Sequence, residues 1–124
     1  MRRLIPLAAV AVLLAGCGGT STYHAASTKA CFAKDSGLRV SKRVDFVAST
    51  APGGAFTVLL GDNQVTLSFA DDEAGAKLLA AGYRAHRGKN IGIEDVLRPV
   101  RNVVALWVAH PSDADLGTVQ RCLK

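Results

Sequence analysis

An uncharged segment near the C-terminus constrains the fold more than any other feature of the chain. Residues 102–109 (NVVALWVA) contain no charged side chain, and apolar groups fall on both faces of an extended chain. A strand with one solvated face alternates apolar and polar residues, whereas a uniformly apolar strand is typical of one covered on both sides. We therefore predict a central strand, ended by His110 and Pro111, with other elements packed on each face.

Two shorter runs predict a β-hairpin. Apolar residues recur at every second position, at Phe56, Val58 and Leu60 and again at Val65, Leu67 and Phe69. The intervening residues 61–63 (GDN) can supply the positive φ of a tight turn. The opposite face of the hairpin carries Thr57, Gln64, Thr66 and Ser68. We expect that polar face to be exposed to water or to lie near the edge of the sheet.

Further elements are predicted before the hairpin. Residues 28–36 (TKACFAKDS) form a short helix that ends at Gly37, and residues 38–40 alternate as a short strand. Residues 42–54 are the least informative part of the chain. Within them, residues 44–47 suggest a helical turn that packs on the rest of the domain.

Two helices are predicted after the hairpin. Acidic residues 71–73 favour the start of a helix that reaches about His86. Its predicted contact face is a stripe of mostly small residues: Ala74, Leu78, Ala81, Gly82 and Ala85. Ser112 and Asp115 have the spacing of a capping box at the start of the last helix. The apolar face of that helix consists of Leu116, Val119 and Leu123.

The predicted elements define a small α+β domain. Their order is αβββαβα, with the hairpin and the central strand in a single sheet that packs against two to three helices. The acidic pair Glu94-Asp95 indicates one more short helix start between the second long helix and the central strand. About a hundred residues suffice for one hydrophobic core and are too few for two.

The N-terminus has the pattern of an export signal. Arg2 and Arg3 precede an apolar run, residues 4–14, that is shorter than the roughly 20 residues a transmembrane helix needs. The run closes on Leu14-Ala15-Gly16-Cys17, which resembles the bacterial lipobox. The resemblance implies cleavage between Gly16 and Cys17 and a diacylglyceryl group on the Cys17 thiol. An ordinary secretory signal cut after Ala15 and a buried apolar helix are the alternatives.

The lipobox resemblance sets the domain boundaries and the location. Residues 1–16 would be a signal peptide, residues 17–27 a flexible tether, and residues 28–124 a single domain. The partner implied by the lipid is the cell membrane, on its extracytoplasmic face, or the outer membrane in a Gram-negative organism. A composition rich in Ala, Val, Gly and Arg is similar to that of small exported lipoproteins from high-GC bacteria, such as actinobacteria.

The cysteine count agrees with an exported chain. If Cys17 carries lipid, Cys31 and Cys122 remain as an even pair, which in an oxidising compartment suggests a disulfide. That bond would join the first helix of the domain to the last. Two separate buried thiols are the alternative.

The charge and the polar residues exclude several functional classes. Removing Arg2 and Arg3 lowers the formal charge from +5 to +3, a modest balance that gives no reason to expect nucleic-acid binding. The three histidines are scattered in the sequence, so we predict neither a metal site nor a cofactor. No nucleophile motif or phosphate loop is present, and we predict no catalytic residue.

These observations favour a non-enzymatic lipoprotein that presents its domain to an envelope protein, an envelope polymer or a small ligand. The alternative is a small-ligand lipoprotein with a pocket between the sheet and the 72–86 helix, lined by Trp107 or Tyr83. A small envelope hydrolase using His110 is the third hypothesis. Trp107, Tyr83 and His110 are therefore the candidate contact residues, although core packing explains Trp107 and solvation explains His110.

Overall fold

The computed structural model describes residues 22–86 and 92–124. Helices and strands alternate in the order αβαββααββα: α1 (Ala25–Ala33), β1 (Leu38–Ser41), α2 (Phe46–Ser49), β2 (Ala55–Leu60), β3 (Asn63–Phe69), α3 (Glu73–His86), α4 (Ile93–Val96), β4 (Leu97–Val100), β5 (Val103–Trp107) and α5 (Asp113–Cys122). The α+β class is confirmed. Relative to the predicted order, the structure adds strand β4. The single-turn helices α2 and α4 lie where residues 44–47 and Glu94-Asp95 indicate short helical segments.

The five strands form one antiparallel sheet in the order β1-β2-β3-β5-β4. The predicted hairpin is β2–β3, in which Leu60 pairs with Asn63 across a two-residue loop. Gly61 opens that loop with a φ of 53°, a conformation that glycine adopts without a steric penalty. The predicted doubly covered strand is β5, which lies between β3 and β4 and is buried at every position.

Alternation along the strands divides the core into two layers. One layer lies between the sheet and helices α1 and α5, and it contains Phe32, Leu67, Trp107 and Val119. The other lies between the sheet and helices α2 and α3, and it contains Val47, Ala80, Tyr83 and Leu106. Because successive side chains of a strand point to opposite faces, Leu106 and Trp107 belong to different layers. The sheet is therefore covered on both sides, as residues 102–109 predict.

The polar face of the hairpin is buried, and the predicted exposure is wrong. Thr57, Thr66 and Ser68 are 3%, 8% and 0% exposed, and β3 is the middle strand of the sheet. The Thr57 hydroxyl donates to the Arg43 carbonyl oxygen at 2.7 Å and lies 3.1 Å from the Thr66 hydroxyl. These contacts supply hydrogen-bond partners for the two threonines, so their part of the face can be covered by the segment that leads into α2. The buried Ser68 hydroxyl has no hydrogen-bond partner among the described residues.

Two boundaries differ from the prediction. Helix α1 spans Ala25–Ala33, so it begins and ends three residues earlier than the predicted helix of residues 28–36. Helix α3 packs through Ala76, Leu79, Ala80 and Tyr83. Of the predicted stripe, only Gly82 lies at a contact, and the other four residues are exposed, with Leu78 at 75%. Alanine occurs on several sides of this helix, so composition alone does not define its buried face.

Strand β4 went unpredicted because it contains Pro99. Proline lacks a backbone N–H and is therefore confined to sheet edges, which is where β4 lies. A two-residue turn, Arg101-Asn102, joins β4 to β5, with Val100 paired to Val103. Arg101 has a φ of 54°, the left-handed region that a residue with a side chain seldom adopts.

The disulfide between Cys31 and Cys122 is present and confirms the predicted pairing. It joins α1 to α5, which lie on the same face of the sheet. The capping box is also confirmed: the Ser112 hydroxyl accepts from Asp115 N–H, and the Asp115 carboxylate accepts from Ser112 N–H. The disulfide and the cap fix the two ends of α5.

Candidate functional site

The side chain of Asn102 forms a hydrogen-bonded clamp on the backbone of Tyr23, just before helix α1. Tyr23 N–H donates to Asn102 Oδ1 at 2.8 Å, and Asn102 Nδ2 donates to the Tyr23 carbonyl at 2.8 Å and to the Ala70 carbonyl at 2.9 Å. Asn102 is 2% exposed. The Arg101 guanidinium lies 5.1 Å from the centre of the Tyr23 ring. The turn between β4 and β5 therefore holds the start of the domain in one position.

The C-terminus is tied to the same place. His24 N–H donates to the Lys124 carbonyl at 2.6 Å, and the Thr28 hydroxyl lies 3.3 Å from that oxygen. Lys124 N–H in turn donates to the Thr28 hydroxyl at 3.1 Å, and Thr28 is fully buried. Both termini of the described domain thus meet beside the Arg101-Asn102 turn.

Trp107 borders a cavity on the α5 side of the sheet. The cavity has a volume of about 260 Å³ and lies between the edge strand β4, strand β5 and helix α5. Its walls are mainly aliphatic: Val100, Ala105, Leu116, Val119 and Leu123. Trp107 is 1% exposed, and its Nε1 atom has no hydrogen-bond partner among the described residues. Arg98 and Gln120 supply the polar side chains of the lining.

Tyr83 lies in the other layer. Its hydroxyl donates to Asp45 Oδ2 at 2.8 Å, and its ring packs between α3 and the sheet. Asp45 also caps α2, since its Oδ1 atom accepts from Ala48 N–H at 2.8 Å. Tyr83 and Trp107 therefore contact different core clusters, and the interface that the sequence suggests for a pocket contains packed Ala80 and Leu106.

An apolar groove runs between α2 and α3 on the outer surface. It has a volume of about 390 Å³, and Phe46 and Leu78, which are 69% and 75% exposed, form part of its wall. The helices approach closely at Gly82, where an added Cβ would lie 3.3 Å from a Val47 methyl group. The predicted packing of residues 44–47 is thus confirmed for Val44 and Val47. Phe46 is mostly exposed, and its ring lies 5.5 Å from the His86 ring between centroids.

His110 lies at the surface and contacts Asp95 of α4. Its Nδ1 atom is 2.7 Å from Asp95 Oδ1, and Arg98 Nη2 is 3.8 Å from the same oxygen. The Arg98 Nε–H group donates to the Asp95 backbone carbonyl at 3.1 Å. His110 therefore belongs to a small exposed charge cluster beside β4 and does not share a cavity with Trp107 or Tyr83.

A second ion pair joins α3 to α4. Arg84 donates from Nε and Nη2 to the two carboxylate oxygens of Glu94, at 2.5 and 3.1 Å. This hydrogen bonding lowers the pKa of the Glu94 carboxyl and raises the pKa of Arg84. Both side chains are exposed, so water screens the interaction.

The remaining expectations concern metals, membranes and the export signal. Within residues 22–86 and 92–124, no three His, Cys, Asp or Glu side chains gather in a way that could hold a metal ion. None of the helices in those ranges is both long and apolar enough to cross a bilayer. The predicted cleavage and lipidation residues, Gly16 and Cys17, lie outside the described residues.

Comparison with known proteins supplies no relative for this chain. No protein-family model matches it, and neither the curated proteins nor the solved structures give a significant match. The sequence singles out Trp107, whereas it gives no sign of Arg98 or Gln120. Asn102 carries one weak signal, because a polar residue stands directly before an uncharged strand.

Proposed function

We propose that this protein is a cell-envelope lipoprotein, anchored through lipid on Cys17, which holds a non-enzymatic binding domain at the membrane surface. The lipobox resemblance of residues 14–17 is the basis for the anchor. The observation that carries the proposal is the Asn102 clamp. It holds the backbone of Tyr23, which is six positions after Cys17, against the domain.

The clamp limits how far the domain can move from the membrane. Five residues separate Cys17 from Tyr23, and six steps along a fully extended chain span at most about 20 Å. The predicted tether of residues 17–27 would reach further. Because Tyr23 is bonded to the turn between β4 and β5, that end of the sheet is the part of the domain nearest the lipid.

The composition of this end suits a membrane surface. Tyr23, half-buried, and the exposed Arg101 form an aromatic and a cationic pair of the kind favoured at lipid headgroups. The acidic residues 71–73 lie at the start of α3, which follows Ala70 and so begins at the same end. Because these acidic residues oppose the charge of Arg101, we expect the acyl chains of Cys17 to supply the anchoring energy.

A binding role is supported by the walls of two of the concave surfaces of the described domain. The cavity at Trp107 and the groove between α2 and α3 are lined mainly by apolar side chains, which favour the retention of an apolar group over chemical reaction with it. The leading partner is therefore a molecule of the cell envelope with an apolar part.

The anchor is tested by labelling bacteria that express the full-length chain with a radioactive fatty acid. The wild-type protein should take up the label and sediment with membranes, whereas Cys17→Ala should do neither. The matched control, Cys31→Ser with Cys122→Ser, removes two thiols but leaves residues 14–17 intact, and it should keep the label. Label on Cys17→Ala would refute the proposed lipid site.

A further inference from the structure

The cavity beside Trp107 has the features of a small-molecule site. Its walls come from three elements, β4, β5 and α5, and they are mainly aliphatic. A volume of about 260 Å³ corresponds to roughly nine groups of the size of a water molecule or a methylene. An apolar body of about that size would fill it without displacing the core.

Trp107 contributes a buried aromatic side chain to the cavity wall. The Trp107 side chain faces the α1 and α5 layer, since it alternates with Leu106 of the opposite layer. Its indole N–H is buried and lacks a partner among the described residues. Buried donors are seldom left unpaired, because a polar group loses the hydrogen bonds it makes in water. Protein atoms cover Nε1, so a ligand in the cavity would contact the indole ring and not its N–H group.

Arg98 gives the lining a positive charge. Its side chain is 36% exposed, and it is held by the hydrogen bond from Nε to the Asp95 carbonyl oxygen. The Nη2 atom lies 3.8 Å from Asp95 Oδ1, beyond hydrogen-bond distance, so its N–H groups can still bind an acceptor. Asp95 competes for the guanidinium, but the same carboxylate oxygen is 2.7 Å from His110.

We propose that this cavity binds a small monocarboxylate with an apolar body of about eight carbons. The aliphatic walls and the Trp107 ring hold the body, and the Arg98 guanidinium attracts the carboxylate. The inference goes beyond the membrane anchor and does not depend on it, because every residue of the site lies in the described domain.

Octanoate is a suitable probe, and Trp107 is a built-in reporter. The chain contains one tryptophan, so a change in fluorescence reports on the surroundings of Trp107, and the Ala105→Val variant assigns the change to this cavity. We expect a saturable change with a Kd of about 0.1 to 1 mM for a ligand of this size. Octanamide has the same length and no charge, and it should bind about tenfold more weakly. The mature protein is used in maltoside micelles.

Two variants test the charge and the volume of the site separately. Arg98→Gln should remove the preference for octanoate over octanamide. Ala105→Val adds two methyl groups at a position in the cavity wall, and it should abolish binding of both compounds while the unfolding midpoint stays at least as high. Measuring all proteins in the same micelles cancels the partition of octanoate into detergent.

The outcomes separate this proposal from that of the anchor. No saturable fluorescence change up to about 10 mM octanoate, an order of magnitude above the expected Kd, would overturn the proposed site. So would unchanged affinity in Ala105→Val, or a preference for octanoate that survives in Arg98→Gln. The same titration on full-length Cys17→Ala in micelles should give the wild-type Kd, since the lipid is not part of the site.

Discussion

Asn102 and Tyr23 form a closed pair of hydrogen bonds, in which each residue both donates to and accepts from the other at 2.8 Å. They lie 79 positions apart in the chain. The Asn102 amide also holds Ala70, the residue after β3, through its carbonyl oxygen at 2.9 Å. One buried side chain therefore joins the entry of the chain, the middle strand and the turn before β5.

Replacing Asn102 with alanine should destabilise the domain. The change leaves the Ala70 carbonyl and the Tyr23 backbone groups without their partner, and an unsatisfied buried group costs about 1–3 kcal/mol. Urea unfolding followed by Trp107 fluorescence would measure the loss, and hydrogen exchange at the Tyr23 amide should accelerate. A wild-type midpoint in Asn102→Ala would show that water replaces the side chain at no cost.

Removing the disulfide should have the largest effect on stability. Cys31 and Cys122 are 91 positions apart, and closing a loop of that length contributes about 4–5 kcal/mol in the chain-entropy treatment. The double variant Cys31→Ser with Cys122→Ser should unfold at lower urea concentration and no longer respond to reductant. The mature wild-type protein should weigh two hydrogens less than its free-thiol mass, and a full thiol titre would contradict the bond.

Thr57 and Thr66 should differ in importance although both are buried and adjacent. Thr57 donates to the Arg43 carbonyl and so accepts the proton of Thr66. Thr57→Val leaves the Arg43 carbonyl and the Thr66 hydroxyl unpaired, and it should lower the free energy of unfolding by about 1–3 kcal/mol. Thr66→Val removes one hydrogen bond and should lower it by about 1 kcal/mol or less. Urea unfolding of the two valine variants shows which change destabilises the domain more. A larger loss for Thr66→Val would contradict the assigned direction of the hydrogen bond between the two hydroxyl groups.

The Arg84–Glu94 pair predicts a pH-dependent contribution to stability. Hydrogen bonding to Arg84 lowers the pKa of Glu94 in the folded state, so the folded state binds its proton less readily than the unfolded chain. The contribution is present above the unfolded pKa, about 4.3 for glutamate, and is lost as the pH falls through the lower folded pKa. Thermal unfolding should therefore show Glu94→Gln less stable than wild type at pH 7, with the difference vanishing in acid.

High ionic strength and the Arg84→Gln variant provide the controls for the Arg84–Glu94 pair. Both side chains are exposed, so the difference should be small and should shrink further at high ionic strength. Arg84→Gln should give the same pH profile as Glu94→Gln, because either change removes the same bond. A difference that persists below the folded pKa would assign the effect to packing and not to charge.

Local signals in the sequence predict much of the fold. The alternation in residues 55–60 and 64–69 predicts β2 and β3, and the uncharged run predicts β5 as a strand covered on both sides. The spacing of Ser112 and Asp115 predicts the start of α5. Each of these patterns depends on residues within a few positions of one another, where periodicity and capping determine the local conformation.

The errors occur where distant segments decide the outcome. The Thr57 hydroxyl can be buried because it forms hydrogen bonds with the Arg43 carbonyl and the Thr66 hydroxyl. No local sequence pattern around Thr57 predicts these partners. The buried face of α3 is set by Val47 and the sheet, since its alanines occur on several sides. Strand β4 contains Pro99, a residue that argues against a strand in sequence analysis and is tolerated here because β4 lies at the edge of the sheet.

The sequence by itself determined the class of the domain, its hairpin, its doubly covered strand and the pairing of its cysteines. The tertiary structure alone decided that Asn102 clamps Tyr23 and that Trp107 and Arg98 border one cavity, since these residues come together only when β4 and β5 pair at the edge of the sheet. The reason is physical: secondary structure follows from the period of apolar residues, whereas a site depends on which side chains folding places at contact distance.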